Sequence, residues 1–195
     1  MAQVPEFKVE NLVTLVTFDN SERIDLNDFV RKSSESDYNP ERFPGVIIRI
    51  NKPKGTALLF STRKMIITGV KSVREAETIT SLVVKKARKS RIVLENPDIS
   101  VKNIVATSDL KMLVDLDACM VSLEDAMYEP EIFPGLIYRI HDPKSVLLIF
   151  STGKIICTGC RSEEDIGKSI VFTMDNVREV MDNFNESAGE IGLVS

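Results

Sequence analysis

The chain has 195 residues, of which 43% are apolar and 28% charged, which is enough for one compact domain or for two halves that share a core. No apolar run approaches the roughly 18–20 residues that cross a bilayer, and no signal-peptide pattern opens the chain, so we expect a soluble, unexported protein without a membrane partner. The net charge of −4 argues at first against a nucleic-acid ligand, but the charge is uneven. Residues 1–97 carry 17 Lys and Arg against 12 Asp and Glu, whereas residues 98–195 carry 8 against 17. This asymmetry predicts one electropositive surface and another that suits basic partners.

The sequence repeats itself. Residues 38–72 align without a gap with residues 128–162, with 20 identities in 35 positions. Upstream, residues 10–14 match residues 102–106 at a shift that is two residues larger, which places a two-residue insertion near Asp19–Arg23. Two copies of this length exceed a solenoid unit and predict a pseudo-symmetric, two-lobed body. We therefore divide the chain into a first repeat (1–97), a second repeat (98–184) and a loose acidic C-terminal tail (185–195).

The predicted elements follow the same order in both copies. In the first, a strand over 11–18 precedes a short helix over 25–31, strands over 46–50, 56–61 and 64–68, and a helix that starts at Ser72. In the second, we expect a strand over 103–110, a short helix over 122–127 capped by Ser122, three matching strands, and a helix from Ser162 with an amphipathic stripe. Each copy is thus β-α-β-β-β-α or close to it, which makes the fold class α+β.

Both faces of the predicted strands are largely apolar. On one strand Lys64, Ile66 and Thr68 share a face, and the second copy repeats that face identically. Each copy offers only two helices, which can cover one side of the strands. The other side would expose an apolar area far larger than is normal for a monomer. Such a surface suits the minor groove of DNA, whose floor offers hydrogen-bond acceptors and whose walls are apolar sugars.

The repeated segments resemble a known family. The stretch from Tyr128 to Ile140 and the stretch from Pro143 to Gly159 closely resemble the second repeat of the TATA-box-binding protein family, and Tyr38–Gly69 resembles the first. The resemblance covers residues 7–184. It implies a curved antiparallel sheet, the saddle, whose concave side binds the minor groove and whose helices lie on the convex side. This family is a standard example of DNA kinking by apolar wedges.

The resemblance also implies roles for individual residues. The wedges that open base steps would be Phe43 with Phe60, and Phe133 with Phe150. The minor groove would be contacted by Asn11, Val13, Leu58, Ile66, Thr68, Asn103, Val105, Leu148, Ile156 and Thr158. Phosphates would be contacted by Arg42, Arg49, Lys64, Arg139 and Lys154. Two departures stand out: Arg63 replaces a glycine that the second copy keeps as Gly153, and Arg42 has Ile132 as its counterpart.

The same resemblance implies a general transcription initiation factor. Glu129 and Glu131 would dock transcription factor B, which leads to RNA polymerase. The chain ends look archaeal rather than eukaryotic, which implies a cytoplasmic, nucleoid-associated protein, or a nuclear one if it is eukaryotic. The alternative is a paralogue that acts mainly as a protein-interaction platform and binds DNA weakly. Whether free molecules pair as homodimers stays open.

We find no catalytic constellation and expect neither enzyme activity nor a cofactor. Cys157 and Cys160 form a Cys-x-x-Cys motif, but a structural zinc site needs four ligands and only Cys119 and His141 remain, at no recognised spacing. Cys157 is assigned to the helix-facing side of its strand, so burial explains it better. His141 alone supplies no nucleophile–base pair.

Overall fold

The computed structural model describes residues 5–19, 22–31 and 36–191. The chain forms two compact units, one made of residues 10–103 and the other of the residues from 104 onwards together with those before residue 10. Across the described ranges, no helix is long and apolar enough to span a membrane. The proposed insertion near Asp19–Arg23 includes residues 20 and 21, which lie outside the described residues.

The unit of residues 10–103 has its strands in the order β2-β3-β4-β5-β1, and the neighbouring strands run antiparallel. Its helix α2 contacts β4 and β5, and α1 contacts β3. The elements are β1 (Phe7–Thr17), α1 (Leu26–Arg31), β2 (Ser36–Asp37), β3 (Gly45–Asn51), β4 (Lys54–Phe60), β5 (Lys64–Val70) and α2 (Val73–Lys89).

The strands of the second repeat follow the same plan, with the order β6-β10-β9-β8-β7 and antiparallel neighbours. Helix α4 contacts both β10 and α3. The elements are β6 (Asp98–Asp109), α3 (Leu116–Ser122), β7 (Ala126–Met127), β8 (Leu136–Ile140), β9 (Ser145–Ile149), β10 (Lys154–Cys160) and α4 (Glu163–Ile191).

The two repeats use different side chains at the same contact between helix and strand. In the first repeat Gly55 on β4 lies under Ile79 of α2, so closely that a Cβ on the glycine would lie 2.6 Å from Ile79 Cδ1. In the second repeat Ser145 and Ser169 occupy the same positions, and their hydroxyls are 2.9 Å apart. A large side chain over a glycine in the first repeat is thus replaced by two small hydroxyl side chains in the second, and a helix packs against the strands in both repeats.

The predicted helix starts at Ser72 and Ser162 are confirmed. Ser72 Oγ accepts the N–H of Glu75 at 3.2 Å, and Ser162 Oγ accepts that of Asp165 at 3.1 Å. The side-chain oxygen thereby satisfies a backbone donor that the first helical turn leaves without a partner.

The predicted short helix over 122–127 is wrong. Helix α3 ends at Ser122, and its N-cap is Asp115, whose Oδ1 accepts the N–H of Ala118 at 2.9 Å. Serine and aspartate are both good caps, and the choice is decided by burial, because Leu116 and Cys119 face the interior as Leu26 and Phe29 do in α1.

The end of the last helix also differs from expectation. The sequence places a loose tail from residue 185, but α4 runs to Ile191, and residues 192–195 lie outside the described residues. The apolar stripe ends near Phe184, yet a helix that is already nucleated extends at little cost through residues with ordinary helix propensity. Strands β1 and β6 also begin several residues earlier than predicted.

The hairpin tip at Arg63 keeps the geometry of its glycine counterpart. Arg63 has φ +58° and Gly153 has φ +83°, and each donates its N–H to the preceding phenylalanine carbonyl, Phe60 or Phe150. The Arg63 side chain is buried and binds two carbonyl oxygens: Nε donates to Glu22 and Nη1 to Val93, both at 2.6 Å. These two charge-assisted hydrogen bonds offset the cost of a left-handed backbone conformation at a residue other than glycine.

Candidate nucleic-acid interface

A row of half-exposed apolar side chains crosses the strands of the first repeat. The register pairs Ile47 with Leu58, Leu58 with Ile66, and Ile66 with Leu15. Their strand neighbours on the opposite face are fully buried, among them Ile48, Leu59, Met65, Ile67 and Val16. The helices of this unit thus cover one face of the strands, and none of the described elements of the unit buries the row.

The second repeat carries the corresponding row. Ile137 pairs with Leu148, Leu148 with Ile156, and Ile156 with Thr107. All four side chains are half-exposed, whereas Leu136, Leu147 and Ile155 on the other face are fully buried. The same alternation therefore leaves one apolar face open in this unit as well.

All ten residues predicted to contact the groove are half-exposed strand residues. In the unit of residues 10–103 they are Asn11, Val13, Leu58, Ile66, Thr68 and Asn103. In the other unit they are Val105, Leu148, Ile156 and Thr158. Sequence reasoning missed Leu15, Ile47, Thr107 and Ile137, because the alternation within one strand does not show which residues lie opposite on the next.

Asn11 is held in one orientation. Its Oδ1 accepts the backbone N–H of Gly69 at 2.8 Å, and Thr68 Oγ1 lies 3.4 Å from its Nδ2. A backbone N–H can only donate, so the oxygen of the amide must face Gly69. The Nδ2 group is consequently the end of the side chain that can donate to a ligand on the open face.

Each repeat places two phenylalanine rings in edge-to-face contact. The ring centroids of Phe43 and Phe60 are 5.6 Å apart at 60°, and those of Phe133 and Phe150 are 5.9 Å apart at 63°. All four rings are half-exposed. A partly exposed pair of rings is an apolar group that can contact a ligand without unfolding the core.

Glycines make room for both ring pairs. A Cβ on Gly45 would lie 2.9 Å from Phe43 Cε1, and one on Gly135 would lie 2.8 Å from Phe133 Cε1. The loop before each glycine is closed by a turn, in which the carbonyl of Asn39 accepts the N–H of Phe43 and that of Glu129 accepts the N–H of Phe133, both at 2.9 Å. Turn and glycine together fix the position of the first ring of each pair.

The five predicted phosphate contacts, Arg42, Arg49, Lys64, Arg139 and Lys154, are all exposed. Lys154 differs from its counterpart Lys64 in what it faces. It pairs across the strands with Asp109, whereas Lys64 pairs with Thr17. The backbone N–H of Lys111, which hydrogen-bonds to Asp109, lowers the pKa of that carboxyl. The Asp109 carboxylate, whose Oδ2 also lies 3.3 Å from Lys111 Nζ, thus stands opposite Lys154, whereas a threonine stands opposite Lys64. The sequence comparison did not reveal this difference.

The loop that carries Glu129 and Glu131 is exposed, and Ile132 between this pair and Phe133 is 80% exposed. In the first repeat Arg42 takes the place of Ile132. The two loops therefore share their backbone turn but present different chemistry to a partner.

The cysteines are core residues. Cys157 and Cys160 are buried with their sulfurs 3.9 Å apart, and burial raises the pKa of the Cys157 thiol. Burial also raises the pKa of Cys119 to about 11. Protonated, buried thiols are neither good nucleophiles nor good metal ligands. Among the described residues, no cluster of three or more His, Cys, Asp or Glu side chains has the geometry to hold a metal ion.

The chain is similar to one family along most of its length. The family model described as "Transcription factor TFIID (or TATA-binding protein, TBP)" matches residues 6–89 and 98–180. The TATA-box-binding protein of Pyrobaculum aerophilum is 38% identical over 95% of this chain and 93% of its own. That of Methanocaldococcus jannaschii is 40% identical over 91% of this chain and 97% of its own. The solved structure "Methanococcus jannaschii TBP" superposes with a TM-score of 0.84 at 39% identity over 90% of this chain and 99% of that one, which confirms the predicted fold class.

Proposed function

Because this chain belongs to the TATA-binding protein family, whose members are DNA-binding transcription factors rather than enzymes, we propose that it is a general transcription initiation factor that binds the minor groove of A·T-rich promoter DNA. The observation that carries the proposal is the open face of each repeat. Each open face carries a row of apolar side chains, a polar group and a pair of phenylalanine rings. The polar group is the Asn11 amide in one unit and the Thr158 hydroxyl in the other.

The chemistry of this face matches the minor groove. A·T and T·A pairs both present acceptors only, adenine N3 and thymine O2, so a donor such as Asn11 Nδ2 fits either orientation. The floor of a G·C pair adds the guanine amino group, which would meet Leu58, Ile66 or their counterparts without a hydrogen-bond acceptor. Apolar side chains therefore select against G·C, and the polar groups fix the position of the protein.

The phenylalanine pairs supply the wedges. Inserting an apolar ring between base pairs unstacks them and costs a few kcal/mol per step, which contacts along the kinked groove repay. A ring that already protrudes next to a second ring is suited to this role, since little reorganisation is needed. Arg42, Arg49, Lys64, Arg139 and Lys154 neutralise phosphates and add a salt-dependent, sequence-independent contribution.

The loop of the second repeat recruits transcription factor B, and through it RNA polymerase. Glu129 and Glu131 offer two exposed carboxylates beside the exposed Ile132, a combination that suits a basic surface with an apolar pocket. A protein with these partners works on chromosomal DNA, in the cytoplasm of an archaeal cell.

An electrophoretic mobility shift tests the DNA-binding proposal. A duplex with a TATA box should compete for the protein far better than a scrambled duplex of equal composition. Equal affinity for both would contradict it and favour a protein-interaction platform that binds DNA weakly. For the second partner, Glu129→Lys with Glu131→Lys should leave the DNA shift intact and abolish the further shift by transcription factor B. The pair Glu163→Lys with Glu164→Lys, on α4, is the matched control.

A further inference from the structure

Exposed apolar side chains are concentrated in the second repeat, and three of them line a groove there. The groove lies between α3 and α4 and encloses about 790 Å³. Val121 is 85% exposed, Phe184 50% and Phe172 46%, and Leu123 is among the other apolar residues that line the groove. Side chains of this size are not left in water on one face without cost, so the groove is a candidate docking surface.

The rim of this groove is acidic. Asp117 and Glu124 lie on the α3 side and Glu179 on the α4 side, and all three are exposed. No lysine or arginine lines the groove among the described residues. A ligand with an apolar surface and flanking positive charge would therefore complement it on both counts.

The fold does not require apolar and acidic residues at these positions, because the first repeat has basic residues at three of the equivalent positions. At the positions that match Val121, Asn176 and Glu179 the first repeat has Arg31, Lys86 and Lys89. The buried positions of these helices keep their register, as Ala87 and Val177 show. The helices thus pack in the same way in both repeats although their surface residues differ. The apolar and acidic character of the groove is therefore not a requirement of helix packing.

We propose that the α3–α4 groove binds a basic amphipathic helix of a partner protein. Two helices flank the groove, and a third helix fits such a site through apolar anchors at i, i+3 or i+4 and i+7. Lysine or arginine residues beside the anchors would face Asp117, Glu124 and Glu179. DNA is not the ligand, since the carboxylates would repel its phosphates.

A second copy of this chain is a poorer occupant. Its basic helix α2 already buries its apolar face, including Ile79 and Val83, against its own strands. The surface of α2 that remains exposed carries lysines and arginines but offers no row of apolar anchors to the groove. The proposal does not depend on the DNA interface, because none of the residues that line the groove is among those predicted to contact DNA.

The test uses the full chain and a fluorescent, helix-forming probe peptide about 16 residues long, with leucine at the anchor positions and lysine beside them. A control peptide carries glutamate in place of each lysine. The groove variant combines Val121→Arg with Glu179→Lys, and the matched control combines Val73→Arg with Glu77→Lys on α2, both of which are exposed positions. Thermal unfolding and the mobility shift with a TATA duplex show that each variant is folded.

We expect the wild type and the α2 variant to bind the basic peptide equally, and the groove variant and the acidic peptide each to weaken binding by at least about tenfold. Three results would overturn the proposal: no binding of the basic peptide, equal binding of both peptides, or an unchanged affinity of the groove variant. Self-association of the protein alone that the groove variant abolishes, measured by sedimentation, would assign the groove to a second copy and also overturn it.

Discussion

The backbone N–H of Gly69 holds Asn11 Oδ1 at 2.8 Å and so determines which end of the Asn11 amide can reach a ligand. Gly69 has φ +83°, a backbone conformation in the left-handed region that glycine adopts readily. The backbone geometry of Gly69, within β5 where the register with β1 shifts, thus determines which group of a β1 side chain is available.

This relationship predicts the effect of Asn11→Asp. Aspartate keeps the oxygen that accepts from Gly69, so the fold should be retained, but it replaces the outward Nδ2 donor by a charged acceptor. We expect affinity for a TATA duplex to fall by at least about tenfold, since the lost hydrogen bond is worth about 0.5–1.5 kcal/mol and the new carboxylate is repelled by the acceptors of the groove floor. The control is Asn27→Asp, an equal change of charge on the exposed surface of α1. Equal affinities of the two variants in a binding titration would rule out a donor role for Asn11.

The glycine beside each ring pair predicts that ring position and DNA bending are coupled. In Gly135→Ala the new Cβ would lie 2.8 Å from Phe133 Cε1 and displace that ring. We expect the bend measured by fluorescence transfer between the duplex ends to decrease, and stability to fall by about 1–3 kcal/mol from overpacking. Phe133→Ala should reduce the bend as well. Because both changes act through one ring, their effects should not add in the double variant; additive losses would contradict this coupling.

Asp109 predicts an asymmetry between the two repeats. Its carboxylate faces Lys154, whereas Thr17 faces Lys64, so Asp109→Thr should strengthen DNA binding severalfold at low salt, and the gain should shrink as salt is added. Asp175→Thr, on the exposed surface of α4, is the control. An unchanged affinity for Asp109→Thr would show that phosphates do not pass near this carboxylate.

The lowered pKa of Asp109 also fixes a pH dependence. A carboxyl whose pKa is lower in the folded state than the unfolded value of about 3.9 contributes stability above that value, and loses it only as the pH falls through the folded pKa. Asp109 therefore stays ionised between about pH 5 and about pH 8, well above its pKa. The ratio of affinities between Asp109→Thr and the wild type should be flat over that range, and a ratio that falls toward one at the acid end would contradict the assignment.

Arg63 predicts a loss of stability without a loss of DNA binding. Arg63→Gly keeps a residue that tolerates φ +58° and removes only the side chain, which leaves the carbonyls of Glu22 and Val93 without this donor. We expect urea unfolding to show a loss of about 1–3 kcal/mol. The converse change, Gly153→Ala, should also destabilise the protein, because a Cβ there would collide with the carbonyl of Met112. A fully stable Arg63→Gly would show that its hydrogen bonds add no net stability.

Much of this structure could be predicted because each local sequence pattern occurs in both repeats. A face that carries Ile66 and Thr68 in one copy and Ile156 and Thr158 in the other is recognisable from sequence alone. The cross-strand partners Leu15 and Ile47 could not be predicted, since register depends on hairpin geometry and on the irregularity between Leu12 and Thr14. Asp109 escaped notice for the same reason, because its importance lies in facing Lys154.

The start of α3 was mispredicted because Asp115 and Ser122 are equally good caps by residue type. Only burial of Leu116 and Cys119 selects the first. The groove between α3 and α4 was likewise invisible in the sequence, since it depends on how a correctly placed α3 lies beside α4.

The most direct test of the central claim is a binding titration with three duplexes that differ only in the TATA box. One has the natural A·T pairs, the second replaces them by inosine·cytosine pairs, and the third by guanine·cytosine pairs. Inosine lacks the amino group that guanine places in the minor groove, so the second duplex keeps the minor-groove face of A·T while its major groove resembles G·C. We expect similar affinity for the first two duplexes and a large loss of affinity for the third. Equally weak binding of the second and third duplexes would show that the protein reads the major groove, and would contradict the central claim.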